Sequence, residues 1–418
     1  MTFRISELTS LDPDAVLDDL EPLREVIGSA RVVAVGENAH FISEFARLRH
    51  RILRFLVERC GFTVLAHESG FSEGFALDGW VQGERRDDEL PELAEECIAS
   101  GLARPAAVRE MFRWLRARNA PGVPPVRFAG IDVPGAAGSL LPSLHPLAPY
   151  LDSVDPAARR LLDPAVDIAT GIAGTTQAAS APGYLAMDAA RQDALTAELS
   201  RLADRFDALA PTYLDAGGRA AYDLARWRLE GARAADHQLR GIAGAFAGTA
   251  LPAAATSRER YMAATVGWWL DRLDPGERVV LMAHNAHIQR TPVVYGGELQ
   301  VLPLGQHLDR VLGNDYAVVG LTSGGGRTAA LHPDAEAGPY GFRIQDTALD
   351  PPEPGSIEAA LAEAGAGLGI ADLRAARGDG AGPDRIRLDS DYLATPVVDA
   401  FDAVVHVPES HVAVDLGF

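Results

Sequence analysis

The sequence predicts an α/β fold: a mostly parallel sheet flanked by helices, with a large helical insertion covering the C-terminal edge of the sheet. Three observations lead to it. Short apolar runs recur without clean period-two alternation, as in strands covered on both faces. Helical patterns separate those runs, which implies right-handed crossovers and parallel pairing. Residues 141–275 carry almost no strand signal and read as a helical insertion between the third and fourth strands. Residues 1–140 and 276–418 then form the α/β catalytic core, and 141–275 form the cover.

In chain order, the strand candidates are Arg31–Glu37, Phe62–Glu68, Val126–Val133, Arg278–Ile288, Ala317–Ser323 and Ala403–Pro408. The spacing of Phe45, Leu48, Ile52, Phe55 and Leu56 predicts a helix over Ser43–Cys60 with an apolar stripe, and Ser43 suits its N-cap. Further helices are expected at Ala106–Arg118, Asp188–Leu209, Gly218–Ile242, Arg258–Arg272 and Ile357–Ala366. The small-residue stretch Gly241–Ser257 reads as a mobile connection, and Ala376–Asp384 as a surface loop. No repeat of solenoid period is present.

Composition excludes several function classes. All 38 basic residues among the 418 are Arg, so there is no Schiff-base lysine and no Walker-type loop. Against 58 acidic residues the formal charge is −20, and the pI is near 4.9. That balance argues against nonspecific binding to nucleic acid or to acidic membranes. Cys60 and Cys97 form neither a disulfide framework nor a C-x-x-C pair. No apolar run approaches the ~18 residues of a membrane span. The N-terminal residues lack an apolar core of signal-peptide length. A soluble cytoplasmic chain is the expectation.

The chemistry lies in what each strand delivers at its C-terminal end. The first ends Gly36-Glu37-Asn38-Ala39-His40, the second His67-Glu68-Ser69-Gly70, the third Gly130-Ile131-Asp132, and the fourth His284-Asn285-Ala286-His287. In an open parallel sheet these ends share one edge, where ligands bind. Glu37, His40, Glu68, Asp132, His284 and His287 are therefore expected to converge. Taken alone, each has a bland alternative: a strand-end His is often structural, and a strand-end acid is often a cap. Asp132 before Val133-Pro134 is left as a turn former, and His67, alternating with Glu68, is expected to face the other way. Arg47, His50, Arg51 and Arg54 share a helix face that reads as solvated. Arg49 lies toward the core and needs a carboxylate partner, for which Glu37 or Glu68 would serve.

Three readings compete on this set. A His near its working pKa can deprotonate water while a carboxylate holds its tautomer. Several His with Glu can bind zinc, although Glu37-x-x-His40 bridges a strand end and a loop, and His284-x-x-His287 is too short for H-E-x-x-H. Gly70-Phe71-Ser72-Glu73-Gly74 matches the G-x-S-x-G elbow, and the order Ser72, Asp132, His284 or His287 fits that of α/β-hydrolases. The second strand, however, stops at Glu68, short of the serine.

The blocks RVVAVGENAHFISEFARLRHRILRFLVERCGFTVLAHESGFSEG, VRFAGIDVPG, ERVVLMAHNAHIQRTP, VLPLGQHLDRVLGNDYAVVGLTS and RTAALHP resemble, in order and spacing, those of the erythromycin esterases. The resemblance implies macrolide-lactone hydrolysis by direct attack of water, with no covalent intermediate and no metal or other cofactor. It places His40 on the general base and Glu37, Arg49, Glu68, His284 and His287 on the other catalytic positions. On this basis a small macrolide or related ester is the expected partner, with no nucleic acid and no membrane. A biosynthetic enzyme reusing the crevice for transesterification, dehydration or cyclisation, and a non-catalytic metal- or haem-binding protein, remain as alternatives.

Overall fold

A nine-stranded sheet forms the centre of the chain, in a computed structural model that describes residues 3–249, 256–295, 299–334, 338–378 and 382–416. Its strands, numbered along the chain with two small hairpins, are β1 Arg4–Glu7, β2 Val32–Val35, β3 Val64–Gly70, β4 Arg127–Asp132, β5 Val279–Met282, β8 Tyr316–Pro333, β9 Phe342–Ala348, β10 Gly369–Asp372 and β13 Ala403–Ser410. The hairpins are β6 Val293–Tyr295 with β7 Leu299–Val301, and β11 Arg385–Leu388 with β12 Asp391–Ala394. The spatial order of eight of them is β1-β10-β13-β8-β2-β5-β3-β4, and the ninth, β9, pairs antiparallel with the far part of β8. All neighbours from β13 to β4 pair in parallel, and β1 and β10 add antiparallel ladders at one edge.

Burial on both faces accounts for the unbroken apolar runs. In β2, Val32 and Ala34 pack toward the helices of 141–270, while Val33 and Val35 pack toward the helix Ser43–Cys60. The helices between Leu141 and Leu270 therefore share one continuous apolar core with a face of the sheet. From there they reach its C-terminal edge.

The helices Ser43–Cys60 and Ala106–Arg118 form as the spacing predicts. Asp188 caps Ala189–Ala208 by accepting from the Arg191 amide at 2.8 Å. Other expectations are corrected. Ile42, not Ser43, takes the N-cap position, with no side-chain cap. The run Arg278–Ile288 is strand only to Met282, and Asn285–Ile288 is a short helix capped by the His284 ring. The helix Arg219–Phe246 continues into the stretch read as a connection, and residues 250–255 of that stretch lie outside the described residues. Ala376–Asp384 is described only on either side of 379–381.

The helix face of Arg47, His50, Arg51 and Arg54 is not solvated as a whole. Arg47 is exposed, but Arg51 is fully buried, bonded to Asp19 at 2.8 Å and to the carbonyls of Ser10 and Val16. His50 packs against Trp114, and burial pulls its pKa down to about 4. The reason is the N-terminal segment 8–20, which lies across this face and supplies both carboxylate and carbonyl partners.

Candidate active site

β2, β5, β3 and β4 end side by side, and a staple fixes the ends of β2 and β5. The Asn285 amide donates to the Glu37 carbonyl at 2.8 Å, and the Asn285 side chain bonds the Leu321 carbonyl at 2.8 Å. This close approach requires glycine at position 36: a Cβ there would sit 1.9 Å from the Asn285 oxygen. The chain then turns through Phe41 in the left-handed region, at φ 61°. That strained conformation aims His40 back over the sheet edge and is of the kind found at functional sites.

Glu37 sits at the centre of one half of the site. Its Oε1 lies 2.9 Å from His40 Nδ1 and 2.7 Å from an Arg49 amino group. Burial works against its charge, but Arg49 and His40 outweigh burial and hold the carboxyl at about 2. For His40, burial favours the neutral form. The bond to Glu37, helped by the charges of Glu68 and Asp389, prevails and raises its pKa above the ordinary histidine value. A carboxylate only accepts, so the neutral ring carries its proton on Nδ1 and leaves a lone pair on Nε2. Nε2 has no partner among the described residues.

Glu68 organises the other half. It accepts the His284 backbone amide at 2.9 Å and lies 3.2 Å from His287 Nε2 and 3.0 Å from Arg258. Burial opposes its charge, yet His287 and Arg258 keep it well below the usual carboxylate range. His287 Nδ1 meets Glu259 at 2.8 Å. Between two acids, and despite burial, the His287 pKa is raised to about 10, so it is a cation at neutral pH. His284 behaves in the opposite way. Burial, then the charges of His40 and His287, bring it down to about 3. Its Nδ1 accepts the Ala286 amide at 3.2 Å, which puts its proton on Nε2. The rings of His40 and His284 stand edge to face at 5.1 Å.

Asp132 is more than a turn former. It is fully buried and clamps Arg258 through two bonds of 2.9 and 2.6 Å. The six convergent residues and Arg49 thus form two linked networks, one around Glu37 and one around Glu68. His67 packs against Phe112 and Phe128, where burial lowers it to about 4, yet it does not leave the site altogether, since it borders a small cavity together with Glu37, His40, Arg49 and Glu68. Ser72 lies within the helix Phe71–Val81, not on a strand-end turn, and its hydroxyl pairs with that of Ser143 at 2.8 Å. It meets no histidine among its partners. Among the described residues, no cluster of three His, Cys, Asp or Glu side chains is arranged to hold a metal.

A cavity of about 250 Å³ opens over the site. His40, Glu68, Asp132, Arg258 and His287 form its polar wall, and Phe41, Leu102, Leu331 and Phe342 its apolar wall. The insertion contributes Gln177 and Arg258, while Leu331 and Phe342 come from β8 and β9. The cavity is therefore roofed by both the insertion and the β8–β9 hairpin.

A sequence model of the erythromycin esterase family matches residues 57–410. An erythromycin esterase type II from Escherichia coli is 35% identical over 402 residues, covering 96% of this chain and 94% of its own. The chain belongs to the erythromycin esterase family. By class it is a carboxylic-ester hydrolase. An erythromycin esterase type I, also from Escherichia coli, is 28% identical over 97% of both chains. A solved structure of a mutant of the erythromycin esterase EreC in its open conformation superposes with a TM-score of 0.89, at 25% identity and over 100% of both chains. A Bacillus cereus protein at 20% identity and a TM-score of 0.72 shares the fold.

Sequence reasoning missed three groups at the site of this erythromycin esterase family member. Arg258 and Glu259 open the helix Thr256–Leu270, in a region read only as cover. Their one signal is an adjacent cation and anion in a first turn leading into an apolar helix. Asp389 stands at the tip of the β11–β12 hairpin, at φ 53°, with its amide bonded to the Asn38 carbonyl at 2.8 Å. Burial raises its pKa to about 6. Nothing in the local sequence links it to His40. Among the described residues, no helix is long and apolar enough to cross a membrane.

Proposed function

We propose that this protein hydrolyses a lactone or related carboxylic ester, a macrolide by analogy with the erythromycin esterases it resembles, with His40 as general base and no covalent intermediate. The observation that carries the reading is the Glu37–His40 pair. A buried carboxylate fixes Nδ1–H, and His40, whose Nε2 has no partner among the described residues, lines the cavity. His40 Nε2 takes a proton from water as the water oxygen attacks the carbonyl carbon. The carbonyl π electrons move onto its oxygen, toward which His284, its ring 5.1 Å from that of His40, would donate from Nε2–H. Collapse re-forms the carbonyl, breaks the acyl C–O bond, and passes the proton from His40 to the departing alkoxide. One water is added overall.

Arg49 and His287 act here as fixed charges. Arg49 holds Glu37 ionised, and both nitrogens of His287 are engaged by Glu68 and Glu259. The test is incubation with a macrolide panel in ¹⁸O-water, read by product mass. Gain of one labelled water in a ring-opened acid supports the reading. An unchanged mass, or loss of water, would instead support transesterification, cyclisation or dehydration.

A further inference from the structure

We propose that Arg258 is a catalytic residue: its free amino group contacts the substrate carbonyl oxygen and holds the oxyanion, with Asp132 as its positioning residue. The proposal rests on the hydrolytic reading above and deepens it. Arg258 Nε donates to Asp132 Oδ1 at 2.9 Å, and Nη2 donates to Asp132 Oδ2 at 2.6 Å and Glu68 Oε1 at 3.0 Å. Those bonds use Nε–H and both hydrogens of Nη2. Nη1, with two N–H groups, has no partner among the described residues. The side chain is 18% exposed and lines the cavity together with His40 and His287.

The two-point clamp by Asp132 is what makes this group suited to the task. A bidentate pair fixes the plane of the guanidinium, so the donor is oriented before charge develops. The candidate cations deduced from sequence are less available. His287 uses both ring nitrogens on carboxylates, and Arg49 borders the smaller cavity of about 40 Å³ beside Glu37. The assignment also gives the insertion a chemical role: it inserts the first turn of Thr256–Leu270 into a site built mainly from strand ends.

The rival role for Arg258 is neutralisation of Asp132 and Glu68. Double substitution separates the two roles, because Arg258→Met with Asp132→Asn removes the buried cation and its main counter-charge together. Erythromycin is the probe, and ring opening is followed by mass. The expected result is a double variant with a Tm close to that of Asp132→Asn, kcat at least ~10²-fold lower than that of Asp132→Asn, and KM little changed. Recovery of kcat to within a few-fold of Asp132→Asn would overturn the proposal. Should the double variant not fold, Arg258→Lys carries the test: it keeps the cation but not the fork. A loss of kcat of tenfold or more is then expected, and a wild-type rate is contradictory. His40→Ala runs in parallel. If wild type opens no lactone of the macrolide panel, or His40→Ala still opens the one that wild type opens, the hydrolytic reading itself fails and this assignment falls with it.

Discussion

Replacing Glu37 by Gln keeps the volume and an acceptor for His40 Nδ1–H but removes the charge that holds the imidazolium. In the wild type, Glu37 Oε1 lies 2.9 Å from Nδ1. With charge centres about 4 Å apart and an effective dielectric constant of about 20, that attraction is worth about 4 kcal/mol. Glu68 and Asp389 keep part of the field in the variant, while Arg49, 2.7 Å from the same oxygen, is left to repel the cation. At about 1.4 kcal/mol per unit, the His40 pKa should fall by at least one unit. The base is active when neutral, so kcat/KM in the wild type rises with pH through a value above the ordinary histidine one. In Glu37→Gln that limb should move to lower pH, and the plateau should drop ~10²-fold as the ring loses its orientation and its counter-ion. The assay is kcat/KM for ring opening between about pH 5 and 9. An acidic limb that stays in place would refute the pairing of Glu37 with the catalytic base.

Three other substitutions probe separate parts of the account. Ser72→Ala should retain kcat within about twofold and lose about 1 kcal/mol of stability, because Ser72 only pairs with Ser143; large loss of turnover in the folded variant would revive a serine nucleophile. Arg51→Met should cost about 3–5 kcal/mol in chemical denaturation, since it leaves Asp19 buried without its cation, with kcat unchanged in the folded fraction. His287 has a raised pKa of about 10 in the folded chain, so its stabilisation is complete below its unfolded value of about 6.5 and fades as pH rises through about 10. The Tm gap between wild type and His287→Asn should therefore be widest near pH 6 and narrow toward pH 10. A gap independent of pH would contradict the ion sandwich.

What the sequence made legible follows from short-range physics. Strand ends of a parallel sheet share an edge, so Glu37, His40, Glu68, Asp132, His284 and His287 could be placed together from four short runs. Helix period placed Ser43–Cys60, Ala106–Arg118 and Ala189–Ala208 nearly to the residue, although the cap expected at Ser43 is not formed. Less accessible was anything set by long-range packing. Arg51 shares a periodic face with exposed Arg47, and only the overlay of residues 8–20 buries it. β1 and β10 are short antiparallel additions without a strong apolar run. β9 is half solvent-facing and pairs with an extension of β8 that the sequence divides at Gly324-Gly325-Gly326. Arg258, Glu259 and Asp389 reach the site from segments remote in sequence. Their side-chain chemistry is ordinary until Asp132, His287 and His40 are placed beside them.

The central claim, that the His40 ring deprotonates water, is tested most directly by His40→Asn. The amide can keep a hydrogen bond to Glu37 and much of the volume but offers no base. The account predicts ring opening reduced by ~10²–10⁴-fold, an unchanged Tm, and the loss of the pH-dependent limb. A folded His40→Asn protein that opens the ring within tenfold of wild type, with the limb intact, would contradict it.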